Sequence, residues 1–190
     1  MKKYFKLLIY VVVFIVIMCL AIFGYDYLGN NYIDKEINNI EEGSKNDESI
    51  VNENKAIDFE VIDSNGNKVN LSDFFGKPIV VNFWATWCGP CQAELPYFEE
   101  VYKQYGQEIE FLMVNLTDEY GETVENTSKF IKDNNYTFPV YFDTEYSAFT
   151  AYRLYSIPQT LFIDEEGNIV KKQIGMIMEN VLKTEIEQIL

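Results

Sequence analysis

Hydrophobic and polar positions divide this chain into three regimes. Leu7 to Phe23 is an unbroken apolar run without a charged residue, extended by Gly24 and Tyr25. Asp26 to about Lys55 is polar and rich in Asn, Asp, Glu and Lys. From about Ala56 to Leu190, short apolar runs alternate with stretches whose apolar residues recur at helical spacing. In that last part, Ile79 to Trp84 is nearly continuous in apolar residues, which predicts a strand buried on both faces. Ile109 to Leu116 predicts a second such strand, and Val140 to Phe142 a short one. Phe59 to Ile62 and Lys68 to Leu71 flank Asn65-Gly66, a hairpin signal. Thr160 to Ile163 and Ile169 to Ile174 flank Asp164-Glu165-Glu166-Gly167-Asn168 and predict another. Helical spacing marks Cys91 to Tyr102 through Leu95, Phe98, Val101 and Tyr102, with Pro96 predicted to kink it. It also marks Glu122 to Asn134, Tyr146 to Tyr155 and Glu179 to Leu190. Strands alternating with helices, then a hairpin and a closing helix, predict an α/β domain: three layers, α/β/α, around a mixed central sheet. The segment from residue 56 to 190 is long enough to bury one core.

The first regime reads as a membrane signal. Its 17 to 19 apolar residues would span roughly 26–28 Å as a helix, the thickness of a bilayer core. Lys2, Lys3 and Lys6 precede it, which predicts the N-terminus inside and the remainder outside the membrane. An uncleaved single-pass anchor over residues 1–25 is therefore expected. A cleaved signal peptide or a lipoprotein site at Cys19 are the alternatives. No A-x-A-like site follows the run, and Met18 stands before Cys19 where a small residue would be expected. Residues 26–55 then form a polar linker, with Ile33, Ile37 and Ile40 able to support a short helix. Glu41 to Asn54 is expected to be a flexible tether. The remainder, 56–190, is expected to be a monomeric soluble domain outside the membrane.

Charge narrows the partners. The chain carries 30 acidic and 15 basic residues, a net charge of −15, and all the acids follow the apolar segment. That balance argues against nucleic acid and against electrostatic attraction to an anionic membrane surface.

The chemistry concentrates at Cys88-Gly89-Pro90-Cys91, directly after the Ile79–Trp87 run. The chain has 3 cysteines and no histidine. A Ser-His or Cys-His nucleophile, a Cys₂His₂ zinc site and a C-x-x-C-H haem site are thereby excluded. Three readings of the pair stand: a structural disulfide, half a metal site, or a redox dithiol. A four-residue loop constrains the unfolded chain little. A closed zinc site lacks further thiolates, since Cys19 lies in the apolar run. The redox reading fits the spacing and the strand-to-helix context. At a helix N-terminus, unpaired N–H groups and the helix dipole favour a thiolate, lowering a thiol pKa of ~8.5 towards ~7. Pro90 suits the first turn because its missing N–H would be unpaired there. Cys88 is thus the attacking thiol and Cys91, one turn on, the less exposed resolving thiol. Outside the membrane, cytosolic thiol pools do not keep such a pair reduced.

Val81-Asn82-Phe83-Trp84-Ala85-Thr86-Trp87-Cys88-Gly89-Pro90-Cys91 resembles the active-site strand of the thioredoxin superfamily, and specifically of TlpA/ResA-like membrane-anchored thiol-disulfide oxidoreductases. Further elements of the resemblance, over residues 56–190, are the added N-terminal hairpin, Leu71-Ser72-Asp73-Phe74-Phe75-Gly76-Lys77-Pro78, an insertion near 117–138, and Ile157-Pro158-Gln159-Thr160. The resemblance implies that Pro158 is the cis-proline beside the redox pair. It leaves the Ile157 backbone to meet an extended substrate. It implies that Glu94 tunes the cysteines, the alternative being a solvated helix carboxylate; if Glu94 is partly buried, its pKa rises and it can shuttle the proton that Cys91 loses. Asn82 stands where thioredoxin has a titratable Asp, which shifts acid–base work to Glu94. Trp87, Gly89 and Pro90 border the substrate surface, whereas Trp84 is a core residue. The Gly-Pro dipeptide points to a reductant near thioredoxin's ~−270 mV. The implied clients are protein disulfides and thiols, such as apocytochrome c or an extracellular thiol enzyme. The implied electron donor is a membrane carrier of the CcdA type. No cofactor and no metal are expected. The competing functions are a disulfide-forming oxidase, a thiol peroxidase of the AhpC/TSA kind, and a copper-binding module. A peroxidase would need Thr in place of Ala85 and a supporting arginine, and Arg153 is the chain's sole arginine. A copper module would have His or clustered Met beside the pair.

Overall fold

The centre of the fold is the strand β3, Ile79–Trp84, all six residues of which are buried. A computed structural model describes Met18 and residues 54–118 and 121–190. Apart from Met18, the predicted anchor over 1–25 lies outside the described residues, as does the linker up to residue 53. Among the described residues, no helix is long and apolar enough to cross a membrane. Val51–Leu190 forms one compact unit.

Around β3 lie β1 (Glu60–Ile62), β2 (Lys68–Asn70), β4 (Glu110–Asn115), β5 (Val140–Phe142), β6 (Gln159–Ile163) and β7 (Ile169–Ile174). They make one seven-stranded sheet in the order β2-β1-β5-β4-β3-β6-β7. β3 pairs parallel with β4 and antiparallel with β6, so the sheet is mixed as the pattern predicts. Asp63–Asn67 closes the first hairpin: Asp63 Oδ1 accepts from the amides of Asn65 and Asn67, both at 2.8 Å, and Gly66 takes the left-handed conformation (φ 83°).

Successive side chains of a strand point to opposite faces, and β3 sorts its residues accordingly. Val80 and Trp84 join one core with Leu95, Phe98 and Val101 of α1 (Gly89–Tyr105) and with Leu182 and Ile186 of α4 (Glu179–Ile186). α2 (Val124–Asp133) lays Phe130 and Ile131 against the same core. Ile79, Val81 and Phe83 join the other core with Leu71 of a short 3₁₀ turn and Ala148 and Tyr152 of α3 (Ser147–Tyr152). Three layers result. Asn82 shares the parity of Val80 and Trp84, so its amide is delivered to the α1 side.

Helix ends depart from the apolar pattern where side chains and backbone geometry decide them. α2 starts at Val124 rather than Glu122, because Thr123 is its N-cap and accepts from the Asn126 amide at 3.1 Å. α3 covers only Ser147–Tyr152, because Tyr146 (φ 56°) and Arg153 (φ 49°) are left-handed and break it on both sides. α4 ends at Ile186 instead of running to Leu190. α1 continues through Pro96, although a proline there removes one intrahelical donor.

Candidate active site

The end of β3 and the start of α1 are joined by Ala85–Cys88, and this junction places both cysteines. Cys88 is the N-cap of α1: its Sγ accepts from the Cys91 amide at 3.2 Å. Pro90 occupies the first turn, where it leaves no donor unpaired. The two sulfurs are joined as a disulfide, with Cα atoms 5.2 Å apart. Cys88 is more enclosed than an attacking thiol read from sequence would be, at 5 % exposure, and Cys91 is fully buried. Of the two, it is Cys88 that lines a cleft.

That cleft, of about 640 Å³, is lined by Trp87, Gly89, Pro90 and Ile157 together with Cys88. These four positions come from two separate stretches of sequence, and the fold brings them together. Trp87 is 67 % exposed beside the cleft, whereas Trp84 is wholly buried. The Ile157–Pro158 peptide bond is cis. The Ile157 carbonyl oxygen lies 3.8 Å from Cys88 Sγ. A disulfide sulfur has no proton to give, so in this form the approach is a packing contact. In the dithiol form the same carbonyl is an acceptor within reach of the Cys88 S–H. The Pro158 carbonyl accepts from the Gly175 amide at 2.8 Å, which ties this loop to the end of β7.

The opposite wall is aromatic. Tyr146, Phe149 and Tyr155 contact one another edge-to-face in sequence, with ring centroids 6.3 Å and 6.1 Å apart, and all three line the cleft. Sequence reasoning passed over them. Aromatic residues spaced three and six apart read as the core face of a helix. The left-handed conformations at Tyr146 and Arg153 turn two of these rings outwards instead.

Three residues beyond Cys91 comes Glu94, on the same helical face by its i+3 spacing. Its side chain is fully buried. One carboxylate oxygen accepts from the Asn82 amide at 2.8 Å, and the other from the Ile177 backbone N–H at 2.8 Å. Asn82 also donates to Thr160 Oγ1 at 3.1 Å, so its amide is held from two sides. Burial raises the Glu94 pKa from 4.5 to about 7, and the two donors only partly oppose that rise. A carboxyl poised near neutrality can take a proton and return it, which is what a resolving thiol needs. Ile177 had no signal in the sequence: its contribution is a backbone N–H delivered from 83 positions away. Among the described residues no group of three or more His, Cys, Asp or Glu is placed to hold a metal ion.

Known proteins resemble this chain in sequence and fold. Residues 53–172 match the AhpC/TSA family. The chain is 34 % identical over 183 residues to thiol-disulfide oxidoreductase ResA of Bacillus subtilis, covering 96 % of this chain and 92 % of that protein. It is 32 % identical over 190 residues to ResA of Geobacillus thermodenitrificans, covering 100 % and 99 %. Among solved structures it resembles StoA from Bacillus subtilis, with a TM-score of 0.60 and 27 % identity over 70 % of this chain and 98 % of that one. It also resembles the pneumococcal exposed lipoprotein thioredoxin Etrx1 from Streptococcus pneumoniae, with a TM-score of 0.59 and 33 % identity over 69 % and 99 %. With a dithiol–disulfide pair at the start of α1 and these relatives along its length, the chain belongs to the AhpC/TSA family and, within it, to the ResA-type thiol-disulfide oxidoreductases.

Proposed function

We propose that this enzyme works outside the membrane and in the reducing direction. What supports the mechanism is Cys88 at the N-terminus of α1 lining the cleft, Cys91 buried one turn on, and a buried Glu94 with a raised pKa on the same helical face as Cys91. The Cys88 thiolate, favoured by the helix N-terminus, attacks one sulfur of a client disulfide. A mixed disulfide forms and the first client thiolate leaves. Glu94 takes the Cys91 proton, and the Cys91 thiolate attacks Cys88 Sγ. The second client thiolate leaves, takes up a proton, and the Cys88–Cys91 disulfide remains, the form seen in this structure. Two electrons have passed from the dithiol to the client. Trp87, Gly89, Pro90 and the Ile157–Pro158 loop form the surface on which the client lies. A membrane dithiol carrier of the CcdA type then returns the pair to its reduced form.

The location rests on the apolar run over 7–23 with its lysine flank, read as an uncleaved anchor that leaves the domain outside. The structural relative described as an exposed lipoprotein thioredoxin supports a domain outside the membrane. Apocytochrome c or an extracellular thiol enzyme is the client class. The test is a Cys91→Ser variant expressed in cells, in which Cys88 holds its client as a stable mixed disulfide. The expected species is reducible, absent from the Cys88→Ala/Cys91→Ser double variant, and contains an extracytoplasmic protein. A trapped cytosolic protein would overturn the location.

A further inference from the structure

A second buried carboxyl group is hydrogen-bonded to the redox loop, and the chemistry above does not use it. Glu122 precedes α2, in sequence 31 positions after Cys91, and is 1 % exposed. One of its oxygens accepts from the Thr86 backbone N–H at 2.6 Å and the other from the Thr86 hydroxyl at 2.5 Å. The first also accepts from the Asn115 amide at 2.5 Å, at the end of β4. The Thr127 hydroxyl lies 3.4 Å from that same oxygen and 3.2 Å from Asn115 Oδ1. Asn115 and Thr127 are themselves fully buried. Every polar neighbour offers a donor, as a side chain that only accepts requires. Burying such a group is costly unless it is fully hydrogen-bonded, and two of its bonds come from one residue of the loop.

That residue is Thr86, two positions before Cys88. Its carbonyl is held from the other side by the Gln92 side chain. The following turn is closed by the Cys88 N–H on the Ala85 carbonyl at 3.2 Å. Thr86 is therefore gripped at its amide, hydroxyl and carbonyl, while Trp87 next to it projects into solvent. We propose that Glu122 is a positioning residue that fixes the Thr86–Cys88 loop, and so aims Cys88 at the cleft and seats it on the α1 N-terminus. It rests on the redox reading of Cys88 but acts through Thr86, without touching either sulfur.

The test uses the full-length chain in detergent, with a small disulfide-containing peptide as substrate. Its readouts are the pH dependence of Cys88 alkylation in the dithiol form, kcat and KM, and thermal unfolding. Glu122→Ala is expected to move the alkylation profile to higher pH, because Cys88 loses its seat on the helix N-terminus. The same variant lowers kcat/KM by about 10- to 100-fold, the range for a loop displaced by about 1 Å. Glu122→Gln recovers most of this, since its amide oxygen still accepts from the Thr86 N–H. Thr86→Val, which removes only the hydroxyl bond, falls between. If Glu122→Ala and Thr86→Val lower the melting temperature while leaving the alkylation profile and kcat/KM at wild-type values, Glu122 is structural only and the proposal fails. Should Glu122→Ala not fold, Thr86→Val decides by the same readouts. Loss of all peptide reduction in the wild-type chain would strike the redox reading instead.

Discussion

Replacing Cys88 with alanine is expected to remove client reduction altogether, a loss of at least about 10³-fold, as for other enzymes deprived of their nucleophile. The size follows from geometry. Cys91 is fully buried behind Cys88, and the cleft opens onto Cys88. No second thiol among the described residues can take over the attack. The fold survives the change, because the disulfide closes a loop too short to constrain the unfolded chain much. Stopped-flow reduction of a peptide disulfide by the dithiol form, with circular dichroism as control, measures both statements. A Cys88→Ala protein that retained more than a tenth of wild-type turnover would mean that Cys91 is the entry thiol.

Replacing Glu94 with glutamine is expected to separate the two steps of the reaction. Attack by Cys88 continues, whereas resolution by Cys91 slows by about 10²-fold, the low end of what a positioned acid–base group contributes. In the wild-type chain the resolution rate rises with pH through about 7, as Glu94 becomes able to accept a proton. In the variant that inflection disappears and the rate follows the ionisation of the Cys91 thiol at higher pH. Quenched-flow measurement of mixed-disulfide lifetime against pH provides the check, and an unchanged inflection would remove Glu94 from the proton path. The same shift has a stability consequence with a definite sign. The folded pKa is raised above the unfolded value, so between about 4.5 and about 7 the folded state binds the extra proton. Stability from this group is fully present below pH 4.5 and is lost as pH rises through about 7. The shift corresponds to on the order of 3 kcal/mol. Glu94→Gln should flatten this part of the stability curve in denaturant titrations between pH 4.5 and 8.

How much of this was legible in the sequence differs between elements for physical reasons. β3, β4 and β6 appear where their apolar runs place them, since a strand buried on both faces leaves a continuous signature; β5 and the more exposed β7 also appear where predicted, β7 through the turn residues before it. The redox pair is legible for the same reason: a C-x-x-C after such a strand has one structural setting here. Glu94 was visible as a candidate from the resemblance, but not its partners. The Ile177 amide and the Thr160 hydroxyl arrive from distant segments, and a backbone N–H carries no side-chain signal. Glu122 reads as an ordinary acidic residue at the start of a helix. Its burial depends on Asn115 and Thr127 converging on it from β4 and α2. The aromatic wall of the cleft was missed because the left-handed turns at Tyr146 and Arg153 override helical periodicity. The anchor and linker expected over residues 1–55 lie almost wholly outside the described residues.

The central claim is that the pair gives electrons to its clients. The direct measurement is the equilibrium potential of the Cys88–Cys91 couple at pH 7 against a glutathione or dithiothreitol redox buffer. The Gly89-Pro90 dipeptide predicts a value near thioredoxin's, ~−270 mV, from which reduction of client disulfides runs downhill. A value close to the ~−120 mV of a strong disulfide oxidant would contradict the account and make this enzyme a donor of disulfides instead.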